Sequence, residues 1–127
     1  MHYLAGTDSV HTTASICDYL EDRATADDTV TVIATVPPDE SNARRDGREA
    51  LNVAPIRLQA VGEVETDLRD GDPATVLLEA AAELDVDELV VGVHGGAPDA
   101  GPGVGTTTAT VLGEAERPVV VVPHPER

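Results

Sequence analysis

Short runs of β-branched residues, each about the length of one strand, constrain the fold of this chain more than any other feature. The clearest run is Thr29–Val36, which reads Thr-Val-Thr-Val-Ile-Ala-Thr-Val and is stopped by Pro37 and Pro38. Two further valine-rich runs lie at 89–93 and 119–122, and none of the three carries a charge. Uncharged, β-branched segments of this length are typical of strands that are buried on both faces of a sheet.

Segments with helical spacing of apolar residues separate these runs. Strands are predicted at Tyr3–Thr7, Thr29–Val36, Val64–Leu68, Leu89–Val93 and Val119–Val122. Helices are predicted at about His11–Ala24, at Asn42–Leu51, at Ala74–Leu84 and at Thr106–Glu116. Pro55 argues against a continuous helix through the region that follows Leu51, so the second helix is predicted to be short. The alternation of strands and helices predicts an α/β fold with a parallel sheet covered by helices on both faces.

The composition limits the partners of the chain. Its 127 residues suit a single domain spanning 1–127, and its formal net charge is −16. A chain this acidic repels nucleic acid and anionic membranes. The acidity fits either an acidic partner surface or adaptation to a high-salt cytoplasm. Because every basic residue is arginine and many side chains are small, we favour the second interpretation. With no stretch long enough to span a membrane and no signal-peptide pattern, we expect a cytoplasmic protein.

The stretch from Leu89 to Thr108 carries the strongest functional signal. An apolar run leads into a glycine-rich loop, and the loop leads into three threonines that open a predicted helix. Such an arrangement presents unpaired backbone N–H groups and the positive end of a helix dipole to an anion. The glycines are spaced Gly92-x2-Gly95-x9-Gly105 and are followed directly by Thr106.

This spacing resembles the Gly-x2-Gly-x9-Gly-Ser/Thr signature of the nucleotide-binding branch of the universal stress protein family. The resemblance covers essentially the whole chain, including the Pro-Val-Val-Val-Val-Pro ending at 118–123. It implies a Rossmann-like sandwich with a five-stranded parallel sheet in the order 3-2-1-4-5. It also implies a protein that binds an adenine nucleotide and acts as a regulatory or protective module in the stress response.

The resemblance assigns roles to individual residues. Asp8 is similar to the aspartate that binds the ribose, and Thr35 to the position whose backbone contacts adenine. Gly92 and Gly95 resemble the glycines beside the ribose and phosphates. The phosphate-binding end of the signature corresponds to Gly105, Thr106, Thr107 and Thr108. Two alternatives stay open at this point, because Asp8 could simply cap the first helix and the threonines could cap the last one.

The implied ligand is ATP or another adenine nucleotide. Residues 96–104 contain no arginine or lysine, whereas relatives often carry basic residues there. A magnesium ion could offset the missing positive charge by bridging phosphate oxygens.

No catalytic or metal site is indicated. Cys17 is interpreted as a small buried apolar residue. His94 lies in the glycine-rich loop without a partnered serine, cysteine or metal ligand, so we favour a role as a loop residue or as a neighbour of the phosphates over catalysis. His2, His11 and His124 lack ligand spacing. The alternatives to a nucleotide-binding module are therefore an interaction domain of the same fold that binds no nucleotide and, less favoured, a slow nucleotide hydrolase using Asp8 or His94.

The last strand predicts an assembly. The family resemblance places Val119–Val122 at the edge of the sheet, where an exposed row of valines invites association unless it is covered. A two-fold partner covers such an edge symmetrically, so we predict a homodimer joined through this strand. The alternative is a monomer in which the tail after Pro123 or a neighbouring loop shields the edge.

Overall fold

Strands and helices alternate throughout the part of the chain that the computed structural model describes, which is residues 1–36, 41–93 and 105–123. The elements are β1 His2–Thr7, α1 Val10–Arg23, β2 Thr29–Val36, α2 Ser41–Arg57, β3 Glu63–Asp70, α3 Pro73–Leu84, β4 Glu88–Gly92, α4 Thr106–Glu114 and β5 Val119–Val122. Every element predicted from the sequence is present, and the bounds of β2 and β5 agree to the residue.

The five strands form one parallel sheet in the order β3-β2-β1-β4-β5, which confirms the predicted topology. The chain builds outward from β1 through β2 to β3, and then returns to place β4 on the other side of β1. The strand order therefore reverses between β1 and β4. In open α/β sheets, the carboxyl ends of the strands at such a reversal leave a crevice in which ligands bind.

The sheet separates two apolar layers. Successive residues of a strand point to opposite faces, so Tyr3 and Ala5 join the layer that packs against α1 and α2, whereas Leu4 joins the layer beneath α3 and α4. The buried valines of the central strands extend this pattern on both faces. Burial on both faces explains why β2 and β4 read as nearly continuous apolar runs.

The second helix is longer than predicted. It spans Ser41–Arg57 and includes Pro55, so the expectation of a short helix was wrong. The proline ring is exposed and lies near the end of the helix, where the missing N–H removes one bond, and the N–H of Leu58 still donates to the carbonyl of Ala54 at 2.9 Å. Burial of one face, formed by Gly47, Ala50, Leu51 and Ala54, holds the helix together.

Within the described residues, no helix combines the length and the apolar character that crossing a membrane requires.

Candidate functional site

A cleft opens at the carboxyl edge of the sheet, where β1 and β4 end side by side. It encloses about 670 Å³ of space, including the part that opens to solvent. The predicted site residues that line it are Asp8, Thr35, Gly92, Gly105, Thr106, Thr107 and Thr108. The structure thus brings together residues from four separate segments of the chain. Gly95, the remaining predicted site residue, and His94 lie outside the described residues.

One wall of the cleft is the turn from β1 into α1. The cap of α1 is Ser9, whose hydroxyl oxygen accepts a hydrogen bond from the backbone N–H of Thr12 at 3.2 Å. Asp8 therefore does not cap this helix. Its exposed side chain accepts from the hydroxyl of Thr12 at 3.4 Å, and that hydroxyl in turn accepts from the hydroxyl of Ser9 at 3.1 Å. A chain of hydroxyls thus runs from the helix cap to the carboxylate.

Buried hydroxyls fix the same turn from below. The hydroxyl oxygens of Thr7 and Thr13 lie 2.8 Å apart, and each lies 3.0 Å from the carbonyl oxygen of Ser9. Because each hydroxyl has one hydrogen, one of them donates to the other, which donates to the carbonyl. Both threonines are buried. The backbone that carries Asp8 is therefore held from within the protein.

The opposite wall is the start of α4. Its cap is Gly105, which has extended backbone angles and makes no side-chain cap hydrogen bond. The N–H of Gly105 donates to the carbonyl of Val93 at 2.9 Å. The next three amides, of Thr106, Thr107 and Thr108, occupy the first turn, in which a helix supplies no carbonyl partner of its own. The alternative in which the threonine side chains cap this helix is absent from the structure.

The side chain of Thr108 has a structural task. Its hydroxyl donates to the carbonyl of Gly92 at 2.6 Å, and the residue is buried. A hydroxyl has one hydrogen to donate, so this contact leaves none for a ligand. The bond ties the first turn of α4 to the end of β4. Thr108 can therefore contribute its backbone N–H to a ligand, but not its hydroxyl hydrogen.

Comparison with known proteins decides the family. Residues 1–123 match the sequence model of the Universal stress protein family. This chain belongs to the universal stress protein family. None of the curated protein sequences that were compared matches it significantly.

Solved structures agree with this assignment. The hypothetical protein MJ0577 is 18% identical, with a TM-score of 0.82 over 99% of this chain and 97% of that one. A universal stress protein family protein from Arabidopsis thaliana with AMP bound is 17% identical, with a TM-score of 0.72 over 98% and 92%. The universal stress protein from Archaeoglobus fulgidus in complex with dAMP is 18% identical, with a TM-score of 0.72 over 96% and 97%. At these identities the likeness establishes the shared fold.

Several cleft residues of this universal stress protein were not found by sequence reasoning. They are Gly6, Thr7, Thr12, Pro73, Leu77 and Val91. The apolar members, Leu77 and Val91, give the cleft an apolar surface beside its polar walls. A Cβ atom at Gly6 would lie 2.5 Å from Leu77 Cδ1, so the glycine lets α3 approach β1 closely at this point. The glycine at the end of β1 was the available signal for that contact.

The charge of the cleft is one-sided. Among its described lining residues, Asp8 is the only one with a charged side chain. The described part of the chain also holds no group of three histidine, cysteine, aspartate or glutamate side chains that could bind a metal ion.

Proposed function

We propose that this universal stress protein binds an adenine nucleotide in the cleft between β1 and β4, and that the bound state regulates or protects in the stress response. One observation carries the proposal: α4 begins at Gly105 without a side-chain cap and faces the cleft across from Asp8. Open amides at a helix N-terminus bind phosphate oxygens, and a carboxylate accepts hydrogen bonds from ribose hydroxyls.

The cleft offers a place for each part of the nucleotide. In the proposed complex, Asp8 binds the ribose hydroxyls and the backbone of Thr35 contacts adenine. The backbone of Gly92 lies beside the ribose and phosphates in this complex, and the apolar side chain of Leu77 lines the pocket. The glycine signature proposes the same role for Gly95, which lies outside the described residues. The phosphate-binding groups are the amides of Thr106, Thr107 and Thr108 together with the hydroxyls of Thr106 and Thr107.

Two of the similar structures support the choice of adenine, because one holds AMP and the other dAMP. ATP enters our proposal together with Mg²⁺. The sequence between 96 and 104 supplies no basic residue to the phosphates, and a bridging cation neutralises part of their charge.

Thermal unfolding in molar KCl tests the proposal. A ligand that binds only the native state stabilises it by about 2.7 kcal/mol at a concentration of about 100 Kd. We therefore expect the melting temperature to rise steadily with AMP, or with ATP and Mg²⁺, and to rise less with GMP. A melting temperature unchanged by millimolar adenine nucleotide would contradict the proposal and favour an interaction domain that binds none.

Two glycines of the same segment provide matched variants for this experiment. In Gly105→Val, the branched side chain occupies the place where phosphate meets the backbone, so the shift with AMP disappears. Gly113 lies in α4 as well, and a Cβ atom there would meet nothing within 4 Å. Gly113→Val should therefore retain the shift.

We also propose a homodimer joined through β5. This strand is at the edge of the sheet, and Val119, Val120 and Val121 are only partly buried. The carbonyls of Pro118 and Val122 accept hydrogen bonds from the β4 side, so the N–H of Val121 points away from β4. Light scattering in molar KCl should show a dimer for the wild type and a monomer for Val121→Pro. A wild-type monomer across micromolar concentrations would overturn this proposal.

A high-salt cytoplasm is the proposed setting. The net charge is −16, so the acidic side chains repel one another. This repulsion is screened over a Debye length that grows from about 3 Å at 1 M salt to about 30 Å at 0.01 M. The melting temperature should fall as salt is removed. A flat or rising melting temperature would contradict the proposed adaptation.

A further inference from the structure

We propose that the cleft selects adenine nucleotides by charge, accepting AMP or magnesium-bound ATP and rejecting magnesium-free ATP. This inference rests on the proposed function and specifies which charge forms of adenine nucleotides the cleft binds. The observation behind it is the placement of positively charged side chains, which among residues 1–36, 41–93 and 105–123 do not line the cleft.

Most arginines of the described residues form ion pairs with carboxylates that do not line the cleft. Their carboxylate partners are Glu88 for Arg23, Asp70 for Arg44, Asp18 and Glu21 for Arg57, Asp67 and Glu83 for Arg69, and Asp85 for Arg117. Arg45 and Arg48 lie on α2 and do not line the cleft. The eighth arginine, Arg127, lies outside the described residues, and the chain has no lysine.

Arg69 shows how positive charge is kept from the ligand. It lies beside Thr35, a cleft residue, in the pairing of β2 with β3. Its guanidinium Nε donates to Asp67 at 2.8 Å, and a second nitrogen donates to Glu83 at 3.4 Å. The arginine that pairs in register with the cleft residue Thr35 is thus neutralised by two carboxylates.

The described neutral donors at the start of α4 match one phosphoryl group in number. The first turn of α4 supplies three amides, and the side chains of Thr106 and Thr107 supply two hydroxyls, whereas the hydroxyl of Thr108 is used by Gly92. The helix end itself is equivalent to roughly half a positive charge. A single phosphate, with a charge of about −2, is matched to these groups.

A second and a third phosphate change this balance. They bring further negative charge into a cleft whose one charged described lining residue is Asp8, on a protein of net charge −16. Mg²⁺ binds phosphate oxygens and reduces the net charge of ATP to about that of AMP. The affinity should therefore follow the net charge of the ligand rather than its number of phosphates.

Calorimetric titration of the full chain tests the inference, at the lowest salt concentration that keeps it folded. The ligands are adenosine, AMP and ATP, each with excess EDTA and with excess Mg²⁺. We expect magnesium-free ATP to bind at least about tenfold more weakly than AMP, and Mg²⁺ to restore the affinity for ATP while changing that for AMP little. Magnesium-free ATP that binds as tightly as AMP would overturn the inference.

A charge variant makes the test sharper. Thr106 is exposed at the first position of α4, so Thr106→Lys adds a cation beside the phosphates, and Thr106→Met adds similar bulk without charge. The lysine variant should bind magnesium-free ATP about tenfold more tightly than the wild type does, when both affinities are measured relative to adenosine. The methionine variant lacks the same phosphate-binding hydroxyl as the lysine variant, so it should bind magnesium-free ATP no more tightly, relative to adenosine, than the wild type does. An equal gain in both variants would contradict selection by charge. Absence of binding by all adenine ligands would instead overturn the proposed function.

Discussion

Two helices begin on opposite sides of the same cleft, and their first turns are completed differently. In α1, the side chain of Ser9 accepts the N–H of Thr12 at 3.2 Å. The helix α3 is built in the same way, since Asp72 accepts the N–H of Thr75 at 3.0 Å. In α4, the cap position holds Gly105, and within the described residues no side-chain cap hydrogen bond is made at this helix start.

This difference separates a structural helix start from a binding one. A side-chain cap takes one of the unpaired amides of the first turn, whereas a glycine at the cap position has no side chain to take it and leaves that donor for a ligand. Glycine at a cap costs only a few tenths of a kcal/mol relative to serine or aspartate, so the open end is inexpensive in stability. The open helix lies at the reversal of strand order, and the capped helix contributes Asp8 through its preceding turn.

The largest expected effect comes from closing the open helix. Gly105 has φ −68° and ψ 165°, a conformation that a capping aspartate adopts. Gly105→Asp should cap α4 and repel phosphate, which lowers the affinity for AMP by at least about 100-fold while the unliganded protein becomes no less stable. Calorimetry and thermal unfolding measure the two quantities. Gly113→Asp, with the same added charge on the same helix, should retain AMP binding. Retained binding in Gly105→Asp would contradict phosphate binding at the start of α4.

A smaller effect is expected on the capped side of the cleft. The hydroxyl of Thr12 donates to Asp8, so Thr12→Val removes a hydrogen bond that positions the carboxylate. The affinity for AMP should fall about tenfold. A dideoxy analogue of AMP lacks the ribose hydroxyls and should bind this variant and the wild type equally. Thr13→Val removes a buried hydroxyl one position along the helix and should lower stability without changing the preference for AMP over the analogue. Equal losses for both ligands in Thr12→Val would contradict a positioning role.

The caps themselves should differ in stability. Ser9→Ala removes the side-chain cap of α1 and should lower the free energy of unfolding by about 1 kcal/mol. Gly105→Ala removes no side-chain acceptor from α4, so its cost should be smaller than that of Ser9→Ala by the few tenths of a kcal/mol that separate serine from glycine at a cap. Denaturant titration of the two unliganded variants makes this comparison. Equal losses would mean that the two helix starts are not distinct.

The smallest effect is a pH dependence at the cap of α3. The N–H and the hydroxyl of Thr75 lower the pKa of Asp72 below its usual value. A carboxyl whose pKa is lowered by folding stabilises the native state above its unfolded pKa and loses this contribution as the pH falls through the folded pKa. The stability advantage of the wild type over Asp72→Asn should therefore shrink as the pH falls below about 4. An advantage that is constant with pH would contradict this.

The fold was predictable to the extent that its signals are local. The runs at Thr29–Val36 and Val119–Val122 contain no competing signal, and both are strands with those bounds. The alternation of elements indicated a parallel sheet, but the order of its strands came from the family resemblance. The second helix was underestimated because the proline rule is local, whereas burial of Gly47 and Leu51 against the sheet is a tertiary effect.

The site was predictable through its backbone and less so through its side chains. The glycine spacing led to Gly92 and Gly105, which line the cleft. Leu77 belongs to the same apolar stripe of α3 as the core residues, and only the packed structure shows that it lines the cleft. The partner of the Thr108 hydroxyl is a carbonyl in β4, and no sequence pattern identifies such a contact.

The most direct test of the open helix end is a titration with AMP followed by the backbone amide signals in NMR. We expect large shifts for the amides of Thr106, Thr107 and Thr108, because these groups acquire phosphate oxygens as acceptors. The amide of Thr12, which already donates to Ser9, should shift little. If saturation with AMP left the signals of the three α4 amides unchanged, phosphate binding at the start of α4 would be contradicted.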